Sequence, residues 1–231
     1  GISAFVLWGF FSILLRAIRD YPVGEILYFR ILFAWLVLLL IIVGIKSDEV
    51  KKDMTYLKSF PRHQRNKIII LTMSGGALLI VNWLTFIYIV NSINIKTASF
   101  SYMICPVITA VLGYLLLKER LTILQWVAVG LCAVSCILIG IHSALELGYS
   151  FLTALAYALY LVSQRRNQGF DRLVILGVQM SVSFLILNLF YPVLIQKVPV
   201  SLHFYGTMLL IAVVFTVLPM FLSLYALNKI N

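Results

Sequence analysis

Long apolar runs alternate with short polar gaps along the whole of this sequence. The runs fall at roughly 1–15, 26–45, 68–90, 97–117, 121–141, 147–163, 173–195 and 204–227. A hydrocarbon core about 30 Å thick is crossed by about 20 apolar residues of helix. No water inside that core can bond a free backbone group, so each run is expected to be helical. The sixth run is the shortest. The pattern predicts an all-α integral membrane protein, a bundle of transmembrane helices of which eight lie in this sequence.

Composition supports a membrane setting. Hydrophobic residues make up 62% of the 231 and charged residues 11%, whereas soluble domains run near half apolar and about a quarter charged. The formal net charge of +10 admits nucleic acid as a partner, but the placement of the basic residues points to lipid headgroups. With the N-terminus on the cytoplasmic side, Lys46, Lys51, Lys52, Lys58, Arg62, Arg65, Lys67, Lys118, Arg120, Arg165, Arg166, Arg172 and Lys229 fall inside. Only Arg16, Arg19, Lys96 and Lys197 fall outside, and Arg30 stands within a span. Such asymmetry in short loops sets orientation. The expected partners are therefore the bilayer and a small-molecule substrate, with no nucleic acid; a homodimer is compatible with this reading. Cys105, Cys132 and Cys136 lie in apolar runs without the polar context of a disulfide framework or a zinc site. The chain opens at Gly1 inside an apolar run and stops at Asn231 just past another, which reads as clipping at both ends.

A weak internal repeat links the third and eighth runs. Asn82–Asn94 reads NWLTFIYIVNSIN and Pro219–Asn231 reads PMFLSLYALNKIN, pairing Tyr88 with Tyr225, Asn91 with Asn228, Ile93 with Ile230 and Asn94 with Asn231. A shift of five helices is odd, so the second copy enters the membrane upside down. Inverted repeats are characteristic of secondary transporters, in which one half rocks against the other. The expected organisation is a first five-helix repeat over 1–141 and the beginning of a second, with three helices, over 142–231. Ten helices are expected in all.

Several residues within the spans could carry chemistry. Ionisable groups in hydrocarbon are costly and serve a function or pair with one another, which singles out Glu25 and Arg30. Five residues apart on a helix they point about 140° away from each other, so a direct pair is not expected. Arg30 can also snorkel from its depth of about 6 Å to the interface. Asn82 needs a partner in hydrocarbon, and Trp83 lies too deep for the interfacial aromatic belt. Together with Tyr88 they would suit an aromatic or amphipathic ligand; core packing is the plain alternative. Pro106 and Pro219 free carbonyls within their helices, a feature of transporter sites and of merely bent helices alike. Thr97, Ser101, Cys105, Thr109 and Gly113 form a stripe at every fourth position, as do Ala128, Cys132, Cys136 and Gly140. Either lines a pathway or lets helices approach closely. No HExxH, GxSxG, Walker or dinucleotide fingerprint is present. His63, His142 and His203 lie in separate gaps, so no catalytic, metal or cofactor site is expected. A membrane-embedded transferase and a passive channel remain as rivals, the first lacking a polar cluster near one face and the second a charged ring or carbonyl filter.

Three segments then carry a resemblance: Glu25–Arg30 (EILYFR), Asn82–Asn91 (NWLTFIYIVN) and Ala98–Arg120 (ASFSYMICPVITAVLGYLLLKER). They are similar to the RarD-type branch of the EamA-like transporters, in the drug/metabolite transporter superfamily. Tyr102, Pro106, Gly113, Glu119 and Arg120 match that family's Y…P…G…ER pattern, and the second segment its NWLxFIxxVN. Phe29 stands where the family's EILxHR has histidine. The resemblance implies ten helices in two inverted repeats. It also implies location in the bacterial inner membrane and export or uptake of small metabolites or drugs, with export the expected direction, in a branch labelled for chloramphenicol sensitivity. On this reading Arg30, Asn82, Trp83, Tyr102, Pro106 and Glu25 line the substrate pathway. Glu119 and Arg120 hold a tight turn at the end of the fourth helix, where a cation suits the helix dipole.

Overall fold

The computed structural model describes residues 2–118, 121–139, 144–167 and 169–229, and among these the chain is helical with no strand. The order is α1 (Ile2–Ala17), α2 (Val23–Ile45), α3 (Ser47–Ser59), α4 (Arg62–Tyr88) running into a π turn (Ile89–Ile93), α5 (Ile95–Leu117), α6 (Ile123–Ile139) and α7 (Ala144–Arg166). Then come α8 (Arg172–Leu189), the single turn α9 (Tyr191–Leu194), α10 (Leu202–Ala212), a second π turn (Val213–Val217) and α11 (Leu218–Lys229).

Six segments are long and apolar enough to cross a membrane: Val23–Ile45, Arg62–Ile93, Ile95–Leu117, Ala144–Arg166, Arg172–Leu189 and Leu202–Ala226. Two shorter apolar helices, Val6–Ala17 and Ile123–Ser135, occupy the first and fifth runs. The chain is thus an all-helical, multi-pass membrane protein. Some expected boundaries move. The sixth run is a full helix of 23 residues, because its polar residues lower its hydropathy without interrupting the helix. The seventh ends at Leu189 rather than 195. The gap at 46–67 is largely helical: α3 fills it and α4 already begins at Arg62. Acidic Asp48 and Glu49 occupy the first turn of α3, where they suit the dipole. Lys51–Asp48 (3.3 Å) and Lys52–Glu49 (2.9 Å) pair three residues apart on it.

The helices form two compact units, residues 1–77 with 167–231 and residues 78–166, so α4 begins in one and ends in the other. In the first unit α2 packs on α8 and α10, and Ile26, Leu27, Ile31, Ala34, Leu38, Phe204, Met208 and Ile211 are buried. Lipid tails are as apolar as these side chains, so shape rather than exclusion from water selects the contacts. Glycine permits the closest. A Cβ on Gly76 of α4 would lie 2.7 Å from the Gln179 carbonyl oxygen of α8, and Ser183 Oγ donates to the Gly76 carbonyl at 2.9 Å.

The connection into α8 is tied down on the same unit. Asp171 caps α8, its Oδ1 accepting from Leu173 N (2.9 Å) and Val174 N (3.2 Å). Its Oδ2 accepts from Lys46 Nζ at 2.7 Å, while its own N–H donates to the Asp53 carboxylate of α3 at 3.0 Å. Tyr56 packs on Phe170 and over Gly169, whose φ of +98° favours glycine. Burial raises the Asp53 carboxyl above its ordinary value, with the Asp171 charge adding to it. Burial also works against the Asp171 charge, but the Lys46 bond and the two cap N–H groups outweigh it and leave that carboxyl below its ordinary value. The Asp171 hydrogen bond raises Lys46.

In the second unit α5 lies along α7 over most of its length, and α6 leans on α5. Asn94 caps α5, its Oδ1 accepting from Thr97 N at 2.7 Å. Lys118 closes that helix in the left-handed region (φ 56°) with its N–H on the Gly113 carbonyl. Glu119 and Arg120, expected to shape this turn, lie outside the described residues, as does Gly140 of the second small-residue stripe.

Candidate functional site

The first unit holds Arg30 and Glu25. Arg30, placed about two turns into α2, is 1% exposed. It does not snorkel. Its Nε donates to Thr216 Oγ1 at 2.9 Å, and its guanidinium carbon sits 4.4 Å from the centre of the Phe11 ring of α1. Both partners suit a desolvated cation, one by accepting a hydrogen bond and the other through its ring quadrupole. Thr216 lies in the second π turn and spends its own proton on the Ile211 carbonyl, five residues back, at 3.1 Å. The reason for that turn is local. Pro219 has no N–H to offer the Phe215 carbonyl four residues earlier, and Trp8 Nε1 of α1 donates to this carbonyl instead, at 3.2 Å. Arg30, Thr216, Trp8, Phe11 and Phe215 thus form one polar–aromatic cluster around a helix defect.

Glu25 does not join it. Its carboxylate, 3% exposed, faces the segment after α9 and accepts from Lys197 N at 3.4 Å. Phe29, in the position of the family's histidine, packs edge-on against Phe204 and Tyr205. An open apolar groove between α2 and α8, walled by Trp35, Ile42, Val174 and Gly177, contains none of the residues singled out from sequence.

The second unit holds Asn82, Trp83, Tyr102 and Pro106. Asn82 is fully buried; its Nδ2 donates to the Thr153 carbonyl of α7 at 2.9 Å, while its Oδ1 accepts no hydrogen bond. The Thr153 and Thr85 hydroxyls lie 2.7 Å apart beside it. Trp83 is 3% exposed. Tyr102 is half-buried, its ring edge-on to Phe86 (5.2 Å) and to Tyr157 (6.0 Å). Pro106 lies on the exposed side of α5. The stripe Thr97, Ser101, Cys105 and Gly113 is buried, on the helix that packs most closely on α7.

Sequence reasoning missed Thr216, Phe11, Thr85, Ser150 and Thr153. The first two meet Arg30 across long separations in the chain, and no local pattern signals that. The α7 residues did carry a signal, since Glu146, Ser150, Thr153, Tyr157, Tyr160 and Gln164 recur at three- and four-residue steps.

Comparison with known proteins follows the same lines. The model of the EamA-like transporter family matches residues 1–141. An uncharacterised transporter of Pseudomonas aeruginosa is 32% identical over 133 residues, 58% of this chain and 42% of its own. The uncharacterised transporter YojE of Bacillus subtilis is 28% identical over 169 residues, 71% of this chain and 53% of its own. The protein RarD of Escherichia coli is 30% identical over 128 residues, 55% of this chain and 40% of its own. The chain spans about half the length of the curated relatives it matches. No solved structure matches it.

Proposed function

Because this chain belongs to the EamA-like transporter family, on its RarD-type branch, we propose that it forms part of a secondary transporter. On this reading it exports small organic metabolites or drugs across the bacterial inner membrane, with its N-terminus in the cytoplasm. Solute moves by alternating access between two inverted repeats, the first covering 1–141 and the second beginning at 142.

The observation that carries this reading is the burial of Arg30. A cation removed from both water and lipid is expensive, and such groups mark solute paths. Its hydrogen bond to Thr216 and the Phe11 ring beside it give the first unit a cationic patch with aromatic walls, chemistry that suits a solute with a carboxylate or other anionic edge and an apolar body. In the second unit Asn82 offers an open acceptor, with Trp83 and Tyr102 as aromatic surface. Glu25 and Pro106 complete the proposed lining.

The test is solute flux in proteoliposomes of the intact protein, with radiolabelled chloramphenicol and a panel of radiolabelled amino acids as probes. Arg30→Ala and Asn82→Ala should each depress flux while leaving membrane insertion intact. Wild-type rates in both variants would remove these residues from the pathway.

A further inference from the structure

Along α7, Ser150, Thr153, Tyr157, Tyr160 and Gln164 are all at most 3% exposed, and with Glu146 at their head they form one face of the helix. The eighteen steps from Glu146 to Gln164 at 1.5 Å each make this stripe about 27 Å long, close to the thickness of the hydrocarbon core. The helix it meets answers in kind. Thr97 Oγ1 of α5 lies 2.5 Å from Glu146 Oε2; Ser150 Oγ and Ser101 Oγ donate to the Thr97 carbonyl at 3.3 and 3.1 Å. Deeper along the same face come the paired Thr153 and Thr85 hydroxyls and the fully buried Asn82, whose Oδ1 is an open acceptor. Packing alone does not call for a polar face of this length, because small apolar residues would join α5 to α7 without the cost of placing hydroxyls in hydrocarbon.

From this juxtaposition we propose that Glu146 is a proton-coupling group: it takes up and releases the proton whose movement drives solute transport. The inference rests on the transporter reading above. Glu146 is the carboxylate of the second unit among the described residues, and it stands at the end of α7 that the charge asymmetry assigns to the non-cytoplasmic side. A proton arriving from water forms an O–H bond on one carboxylate oxygen; the same bond breaks on release, and no other bond changes. Uptake of one proton neutralises the charge that the carboxylate carries beside the Thr97 hydroxyl. The charged carboxylate is costly to occlude and the neutral acid much less so, so occlusion follows proton uptake. Around it, α7 contributes Tyr149 and the end of α4 contributes Tyr88, their rings 4.9 Å apart. Lys96 of α5 is next to Thr97 in sequence but exposed, and Arg165 and Arg166 stand at the opposite end of α7.

The experiment uses the intact protein in proteoliposomes, with radiolabelled chloramphenicol and the amino-acid panel moved in two modes. One is exchange at equal pH on both sides; the other is net flux under an imposed pH gradient. Glu146→Gln keeps the shape and a hydrogen-bonding oxygen but cannot cycle a proton. It is expected to retain exchange and to lose the response to the gradient. Thr97→Val removes the hydroxyl that meets the carboxylate, and is expected to weaken the response to the gradient while exchange is retained. A Glu146→Gln protein whose flux still follows the gradient overturns the proposal and leaves the transporter reading intact. A wild-type protein that moves no probe in either mode overturns both.

Discussion

Arg30 donates to a hydroxyl of the opposite helix, and this makes Thr216 the more informative residue to change. A hydrogen bond to a charged group contributes about 1.5–3 kcal/mol, and Thr216→Val removes it while keeping the volume. Chemical unfolding in detergent should show a loss of that order, with Thr216→Ser close to wild type; equal stability of Val and wild type would show that the guanidinium does not depend on this contact. Asp171 invites a second test, because it both caps α8 and receives Lys46. Loss of a helix cap costs about 0.5–2 kcal/mol, so Asp171→Ala should lower the unfolding midpoint and Asp171→Asn should lower it less. The pH dependence follows from the shifts. The Asp171 carboxyl lies below its ordinary 3.8, so its contribution is present above that value and is lost as pH falls through the lower folded value. Lys46 lies above its ordinary 10.5, so its contribution is present below that value and is lost as pH rises through the higher folded one. Asp53, raised by burial, has the opposite sign to Asp171: its charge costs stability, and acid relieves it. The stability of the α3–α8 connection should therefore be flat near neutrality and fall at both extremes. A transition centred near pH 7 would contradict this assignment.

At the scale of helices, close approach between α4 and α8 depends on a missing side chain. A methyl group on Gly76 would be driven into the backbone of α8, and overpacking of this kind costs about 1–3 kcal/mol. Gly76→Ala should destabilise by such an amount. Gly44→Ala, with nothing within 4 Å of its added carbon, should be neutral or gain up to about 1 kcal/mol from helix propensity. Similar losses at both positions would mean that propensity, not contact, decides. The helices themselves were legible wherever the run was apolar all round, as in α2, because lipid demands such length and composition. Two were not. α3 is too polar to be found by apolar length, and its helical character rests on charge pairs and on docking through Asp53 and Tyr56. α7 reads as a weak span because averaging over a window mixes its polar face with its apolar one. Its three- and four-residue periodicity was in the sequence all along, and only the buried contact with α5 shows which face matters. Neither π turn leaves a pattern of its own; Pro219 marks the neighbourhood of one of them.

At the scale of the molecule, the proposed orientation rests on the alternation of apolar runs and basic gaps. Arg62 opens α4 and Arg166 closes α7, and the proposal puts both on the cytoplasmic side. Single-cysteine variants Arg62→Cys and Arg166→Cys in a cysteine-free background should react with an impermeant maleimide from the same side of sealed vesicles. Labelling from opposite sides would break the alternation on which the inside assignment depends. The site was less legible than the architecture. The high cost of a charge or an amide in hydrocarbon pointed to Arg30 and Asn82 without any coordinates. What they touch was hidden, because Thr216 is 186 residues from Arg30 and Thr153 is 71 from Asn82.

The second π turn has a geometric consequence for everything that follows it. A surplus residue within one turn rotates the downstream helix by about 100° relative to an uninterrupted one, so the side of α11 presented to α1 and α8 is chosen by that extra residue. The indole of Trp8 and the guanidinium of Arg30 both grip the distorted ring. They act as pins on a dislocation that could otherwise glide along the helix, and while they hold, α11 keeps its azimuth.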